Sequence, residues 1–209
     1  METPESWRID ADRSTLTFRL PHAGLGDIRG RFGCWGGRVL VDAANARRSA
    51  VRIWVELSSI DTGSQRRDEN ILSTELFDQR WEPALEFEGD SLDIGPSDGM
   101  TLTGWVSLRA FRERARVVLD APRLELDPSG KPRFVCTARA SLDRRALGLR
   151  RSRKVRDWLS DRLLGETIEI VAHVEAVRES ASQALPPPVT LEALRSRVGL
   201  GLPAAAALA

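Results

Sequence analysis

Apolar and polar side chains alternate with a period of two through most of this chain, and that pattern commits it to antiparallel sheet. Leu16, Phe18, Leu20 and His22 share one face of a strand opening at Thr15, while Thr15, Thr17 and Arg19 take the other. Val51, Ile53, Val55 and Leu57 alternate with Arg52, Trp54, Glu56 and Ser58. Leu102, Gly104, Val106 and Leu108 alternate with Thr103, Trp105, Ser107 and Arg109. Phe134, Cys136, Ala138, Ala140 and Leu142 do so with Val135, Thr137, Arg139 and Ser141, and Ile168, Ile170, Ala172, Val174 and Ala176 with Glu169, His173 and Glu175. Successive side chains of a strand point to opposite faces, so each run has one dry and one wet face. Shorter candidate strands lie at 37–42, 84–94 and 115–126. Turn-forming residues separate the runs at Asp42 to Asn45, Gly95 to Gly99 and in DPSGKP at 127–132. A long meander leaves open edges unless it closes, so a sandwich or barrel is expected.

Two helical stretches interrupt the strands. Residues 66–77 bring Ile71, Leu72 and Phe77 to one side, and 153–165 place Val155, Trp158, Leu159 and Leu163 at helical spacing before a stop at Gly165. Past Val177 the composition changes. RESASQALPPPV reads as a linker stiffened by Pro186 to Pro188, Thr190 is an N-cap for TLEALRSRVGL, and GLPAAAALA follows. The expected organisation is a barrel over 7–177, a Pro-rich linker over 178–189, and a C-terminal helix with an Ala-rich tail over 190–209.

Composition narrows the function. The formal net charge of +1 provides no global field for nucleic acid or an anionic membrane. METPESWRIDADRS lacks the basic and apolar regions of a secretory signal, no apolar run reaches spanning length, and Cys34 and Cys136 form no CxxC pair. Reduced thiols and a cytoplasmic address are expected, with a periplasmic one only if the start is mis-assigned. His22 and His173 are the 2 histidines, so there is little scope for a histidine metal site and no HExxH. No GxSxG elbow is present, and GLGDIRG at 24–30 imitates a nucleotide fingerprint with the wrong spacing and no helix behind it. The expectation is a binding protein without catalytic residues, metal or resident cofactor.

The order of motifs resembles the YceI-like, polyisoprenoid-binding, lipocalin-like family. WRIDADRSTLTFRLPHAGLGDIRGRF at 7–32 is similar to its opening strand, histidine and Gly-x-Phe step. LSSIDTGSQRRDENILSTELFD at 57–78 is similar to its Ser-Ile-Asp-Thr segment with Arg-Asp and a Phe-ended helix. EPALEFEGDSL at 82–92, LTGWVSLRA at 102–110 and DRRALGL at 143–149 match further strands of the pattern. Ala110, Phe111 and the Arg/Glu run after them depart from it at a turn. The resemblance implies an all-β, extended eight-stranded antiparallel barrel with short helices, often dimeric, holding an isoprenoid such as a quinone or polyprenyl lipid.

The dry faces then nominate a ligand wall: Phe18, Leu20, Phe32, Ile53, Val55 and Phe87, continued by Leu102, Leu108, Phe134 and Ile170, with Ile71, Leu72 and Phe77 from the helix. Small residues on those faces, Gly104, Ala138, Ala140, Ala172 and Ala176, are expected to leave room inside. His22 is either a contact for a ligand head group or an inward histidine bonded to a neighbour. Arg67 either forks an anionic head group or pairs with Asp68 or Asp61 to fix the loop.

Arg144, Arg145, Arg150, Arg151, Arg153, Lys154 and Arg156 form a basic segment. As a solvated face it needs no partner; as a functional one it meets phospholipid head groups, a pyrophosphate, the phosphates of RNA or DNA, or a protein partner, which makes a protein or nucleic-acid interaction module the alternative to a lipid carrier. Trp54 and Trp105 fall on the wet parity, where homodimerisation or cover by the tail would hide them.

Overall fold

The structure is a computed structural model that describes residues 4–23, 26–42, 49–72, 84–95, 99–149 and 164–179. Its strand segments are β1 (Glu5–Ile9), β2 (Thr15–Leu20), β3 (Ile28–Phe32), β4 (Trp35–Val41), β5 (Ala50–Glu56), β6 (Ile60–Asp61), β7 (Ala84–Ile94), β8 (Met100–Leu108), β9 (Phe111–Leu126), β10 (Pro132–Asp143) and β11 (Thr167–Arg178). Helix α1 (Gln65–Leu72) follows β6. Every pairing is antiparallel.

The segments merge into eight staves. β1 and β2 lie end to end along β11, opposite Ala176–Arg178 and Glu169–His173 respectively. β3 and β4 run on in the same way beside them, as do β5 and β6 beside β4 and β3. From there β7 to β11 follow as a meander, and the β1–β11 pairing closes the ring. A closed ring has no open edge, which answers the problem a meander of this length poses.

The interruption between β1 and β2 is stitched to one residue of β11. Asp10 N–H donates to the Glu175 carbonyl at 2.8 Å, and the Ser14 hydroxyl accepts from Glu175 N–H at 2.9 Å. Glu175 thereby keeps its ladder bonds where the strand beside it breaks. Arg133 clamps the same corner, reaching Asp10 at 2.9 Å, Glu175 at 3.4 Å and Asp127 at 3.6 Å.

Two bulges set the side-chain register. Asp90 is the extra residue of β7 between Gly89 and Ser91, and it takes Arg114 of β9 in a fork at 2.6 and 2.8 Å. In β9 the register shifts around Pro122, opposite the step from Val135 to Thr137. Proline cannot donate to a ladder, so a bulge is where a strand tolerates it.

The core draws on strands all round the barrel. Ile9, Leu16, Trp35, Val55, Leu57, Phe87, Leu102, Val106, Leu108, Ala115, Cys136, Leu142, Ala172 and Val174 are buried and pack as one cluster. Each large side chain buried this way contributes about 1.5–3 kcal/mol, against roughly 0–1 for an exposed ion pair such as Arg139–Asp120.

Several expectations need correction. β1, β3 and β6 carry too few residues for a visible alternation. β9 starts at Phe111 rather than 115, because Arg109 adopts φ 56° and closes a two-residue turn between Leu108 and Phe111. The 66–77 helix is seen as Gln65–Leu72; Phe77 and most of the 153–165 helix lie outside the described residues, as do the calls on 180–209. Gly104 leaves no room: a Cβ there would strike the Glu88 carbonyl and the Gly89 backbone, so its role is close approach of β7 and β8. Ala172 and Ala176 are packed, at 8% and 0% exposure.

Gly104→Ala should therefore destabilise the barrel by about 1–3 kcal/mol, the usual cost of overpacking. Urea unfolding checks this: a lower midpoint at unchanged slope is expected, and a midpoint within error of wild type would contradict the close approach.

Candidate functional site

The inner face is buried unevenly. Leu16, Cys136, Leu142, Ala172 and Val174 belong to the same buried cluster as Val55, Phe87, Leu102 and Val106. Across β9, β10, β11, β2 and β3 the inward residues Val117, Leu119, Ala138, Ala140, Ile170, Phe18, Leu20 and Phe32 stay half-buried. They carry the same register as buried inward neighbours: Phe18 opposes Ile170, Ile170 opposes Ala140, and Ala140 opposes Val117. This strip is apolar, contiguous across five neighbouring strands and still reached by solvent.

Gly30 shapes one end of it. The Phe18 ring lies across Gly30, where any Cβ would collide with the ring, and meets Phe32 with centroids 5.3 Å apart. Glycine thus lets an aromatic pair lie flat against β3. Of the remaining nominated wall residues, Val55, Phe87, Leu102 and Leu108 are buried in the core, and Ile53 and Phe134 are half-buried against it. Ile71 and Leu72 sit half-buried on α1.

The barrel mouth on the α1 side collects the polar candidates. His22 bridges to Leu164, and Gly165 N–H donates to the Pro21 carbonyl at 2.7 Å, so Leu164 and Gly165 lie against the end of β2. His22 Nδ1 is buried and has no hydrogen-bond partner among the described residues. Glu113 lies on the inner register of β9, opposite Val106. Its Oε1 accepts from Asp143 N–H at 3.2 Å, while Oε2 is buried and has no partner among the described residues. Burial is the main cause that pushes the Glu113 carboxyl above its ordinary value; the Asp143 N–H opposes the shift, and the Asp143 charge adds to it.

Arg67 does not join this group. It is exposed and its Nε donates to the Thr62 hydroxyl at 3.0 Å; that hydroxyl in turn donates to Asp68 at 2.6 Å. Asp61 pairs with Arg31 instead. Arg144 is likewise withdrawn from the basic segment: it is 4% exposed and donates to the backbone carbonyls of Leu149 at 2.7 Å and Gly165 at 3.2 Å. A guanidinium with five donors suits a turn rich in unpaired carbonyls. Arg145 forms an ion pair with Glu166 at 2.8 Å, and Arg150, Arg151, Arg153, Lys154 and Arg156 lie outside the described residues.

The outer face has its own groove of about 610 Å³ over β11, β2 and β3, bordered by Arg19, Arg31, Asp61 and Glu169. Its arginines are matched by carboxylates, Arg19 by Asp27 at 2.7 Å and Glu169 at 2.8 Å, so its rim is a set of ion pairs. The outward tryptophans are half-buried against the chain itself. Trp54 lies on Gly36, and Trp105 is stacked by Arg112 and Arg114 at 4.6 and 5.1 Å. Both cysteines are free thiols, and burial holds each near a pKa of about 11, which leaves them unreactive.

The sequence model of the YceI-like domain matches residues 7–176. A UPF0312 protein of Ectopseudomonas mendocina is 23% identical over 167 residues, 78% of this chain and 82% of that one. One from Pseudomonas aeruginosa is 28% identical over 107 residues, 47% of this chain and 55% of that one. Among solved structures, Burkholderia cenocepacia BcnA superposes with a TM-score of 0.65 at 15% identity, covering 81% of this chain and 99% of its own. A polyisoprenoid binding domain from Saccharophagus degradans superposes with a TM-score of 0.57 at 12% identity, covering 83% and 98%. These likenesses fix the barrel fold.

Glu113→Gln should raise stability at neutral pH. The folded-state carboxyl is raised above its unfolded value of about 4.3, so the native state is disfavoured once pH rises past that value, and below it both states are protonated. The gain on substitution is expected to fade as pH falls below about 4. Thermal unfolding across pH checks it: a difference that does not change with pH would contradict the assignment.

Proposed function

This chain belongs to the YceI-like family, and we propose that it binds and carries a polyisoprenoid or a similar apolar lipid along a half-buried strip of its barrel interior, with no chemistry of its own. The observation that carries this reading is the half-buried apolar strip from Val117 and Leu119 through Ala138, Ala140 and Ile170 to Phe18 and Leu20. In a closed barrel, inward aliphatic side chains that solvent still reaches are an unmet opportunity for burial, worth about 25 cal/mol per Å² covered. A branched hydrocarbon without hydrogen-bonding groups is the ligand class that fits such a wall, because it leaves no polar atom unsatisfied. The lipid tail lies along this strip, and a polar head group reaches the α1-side mouth, where His22 Nδ1 offers an unused hydrogen-bonding atom. The polyisoprenoid binding domain of Saccharophagus degradans, alike in fold, supports the same ligand class.

The alternative of an interaction module built on the basic 144–156 segment loses part of its basis. Arg144 is spent on backbone carbonyls and Arg145 on Glu166, so two of its cations already have partners within the chain.

Mild purification, solvent extraction and mass spectrometry test the carrier. Lipid recovered with the wild-type chain, or taken up from added polyprenol or long-chain quinone, is expected. Ala138→Phe, which puts a ring into the open strip, should lower uptake about tenfold or more at similar thermal stability. A wild-type protein that is empty and also ignores added polyprenol and quinone would sink the proposal.

A further inference from the structure

The end of the barrel opposite α1 carries a feature that lipid storage alone does not use. Leu124, Leu126 and Ile94 are exposed by 67%, 73% and 58%, and all three belong to hairpins at this end. None of them is a stray outward residue. Leu124 opposes Phe134, Leu126 opposes Pro132 and Ile94 opposes Met100, which places them on the register of the inner face. They prolong the apolar interior past the rim.

The β9–β10 hairpin overhangs its neighbour. β8 begins with Met100 opposite Leu119, so Asp120–Leu126 has no partner strand on that side among the described residues. At about 3.3 Å per residue the overhang reaches roughly 20 Å. Its turn is held rigid by Asp127, whose Oδ1 accepts from the Ser129 N–H at 2.8 Å, the Ser129 hydroxyl at 2.6 Å and the Lys131 N–H at 2.9 Å. Asp127 also faces Arg133 at 3.6 Å, and Arg123 pairs with Glu125. That leaves Lys131 as the tip cation with no ion pair among the described residues.

We propose that this hairpin end docks on a lipid bilayer, with Leu124 and Leu126 entering the headgroup–acyl boundary and Lys131 meeting anionic headgroups, so that the rim is the door through which the carried lipid passes. The door rests on the carrier reading; the docking does not. Apolar side chains beside a cation, on a rigid protruding tip, are what an interfacial anchor requires. A second copy of the chain fits less well. A few exposed apolar side chains cover a few hundred Å², whereas a stable interface needs about 800 Å² from each partner. Pro122, Arg123 and Glu125 on the overhang also discourage strand addition.

Flotation of the full chain with phosphatidylcholine–phosphatidylglycerol vesicles tests this. The wild type should float, and Leu124→Glu/Leu126→Glu should lose about tenfold or more of its vesicle partitioning. A solvatochromic dye on Leu124→Cys, in a Cys34→Ser/Cys136→Ala background, should shift to the blue only when vesicles are added. No flotation, flotation indifferent to the double substitution, or a dye already shielded without vesicles (cover by protein) would each overturn the docking. Extraction and mass spectrometry of the double variant separate the two claims. It should keep its lipid but exchange it with vesicles more slowly. A wild type that floats yet takes up no polyprenol defeats the carrier alone, and one that takes it up without floating defeats the docking alone.

Discussion

Everything in this molecule depends on the seam that joins the first stave to the last strand. Trp7, Arg8 and Ile9 pair with Arg178, Val177 and Ala176, and Thr15 to Arg19 pair with His173 to Glu169, which converts a meander with two open edges into a ring with an inside. The seam is interrupted at Asp10–Ser14, and Glu175, Ser14 and Arg133 make up for the break with hydrogen bonds and charge pairs at the same corner. Closure lets the alternating side chains acquire a function: before it, one face is merely apolar; after it, that face is enclosed.

Enclosure does not mean filling. One buried cluster runs from Trp35, Phe87 and Leu102 round to Leu16, Ala172 and Val174, while Val117, Ala140, Ile170 and Phe18 beside it stay half-buried. The cluster supplies stability. The half-buried residues supply the surface on which a hydrocarbon gains by leaving water. The two ends differ as well. At one mouth Leu164 and Gly165 meet His22 and Pro21, with Arg144 holding the Leu149 and Gly165 carbonyls, and the other is flared by a hairpin that outruns its neighbour.

Much of this was legible in the chain before any coordinates. The long strands β5, β7, β8, β10 and β11 alternate over enough residues for the period to stand out, and the ordered motifs of the YceI-like family placed them in a barrel. The short segments β1, β3 and β6 could not be seen, because strands of two to five residues carry no period and exist only through their neighbours. Parity predicted which side chains face inward, but not how deeply: it treated Gly104 and Ala172 as gaps, whereas the approach of β7 and the packing of β11 leave none. Charge counting placed Arg144 in a basic patch; the backbone carbonyls that claim it come from the fold of its own turn. Leu124 and Leu126 fell within a candidate strand with nothing to mark them as exposed, since exposure follows from the length of β8 rather than from their own sequence.

The central claim is that the open strip of the inner wall is occupied by lipid. A crystal structure of protein purified without detergent or delipidation tests it most directly. Continuous tubular density running past Leu119, Ala138, Ile170 and Phe18 toward His22 is the predicted result. An interior closed by repacked side chains, or filled only by discrete ordered waters in both the untreated and the polyprenol-soaked protein, would contradict it.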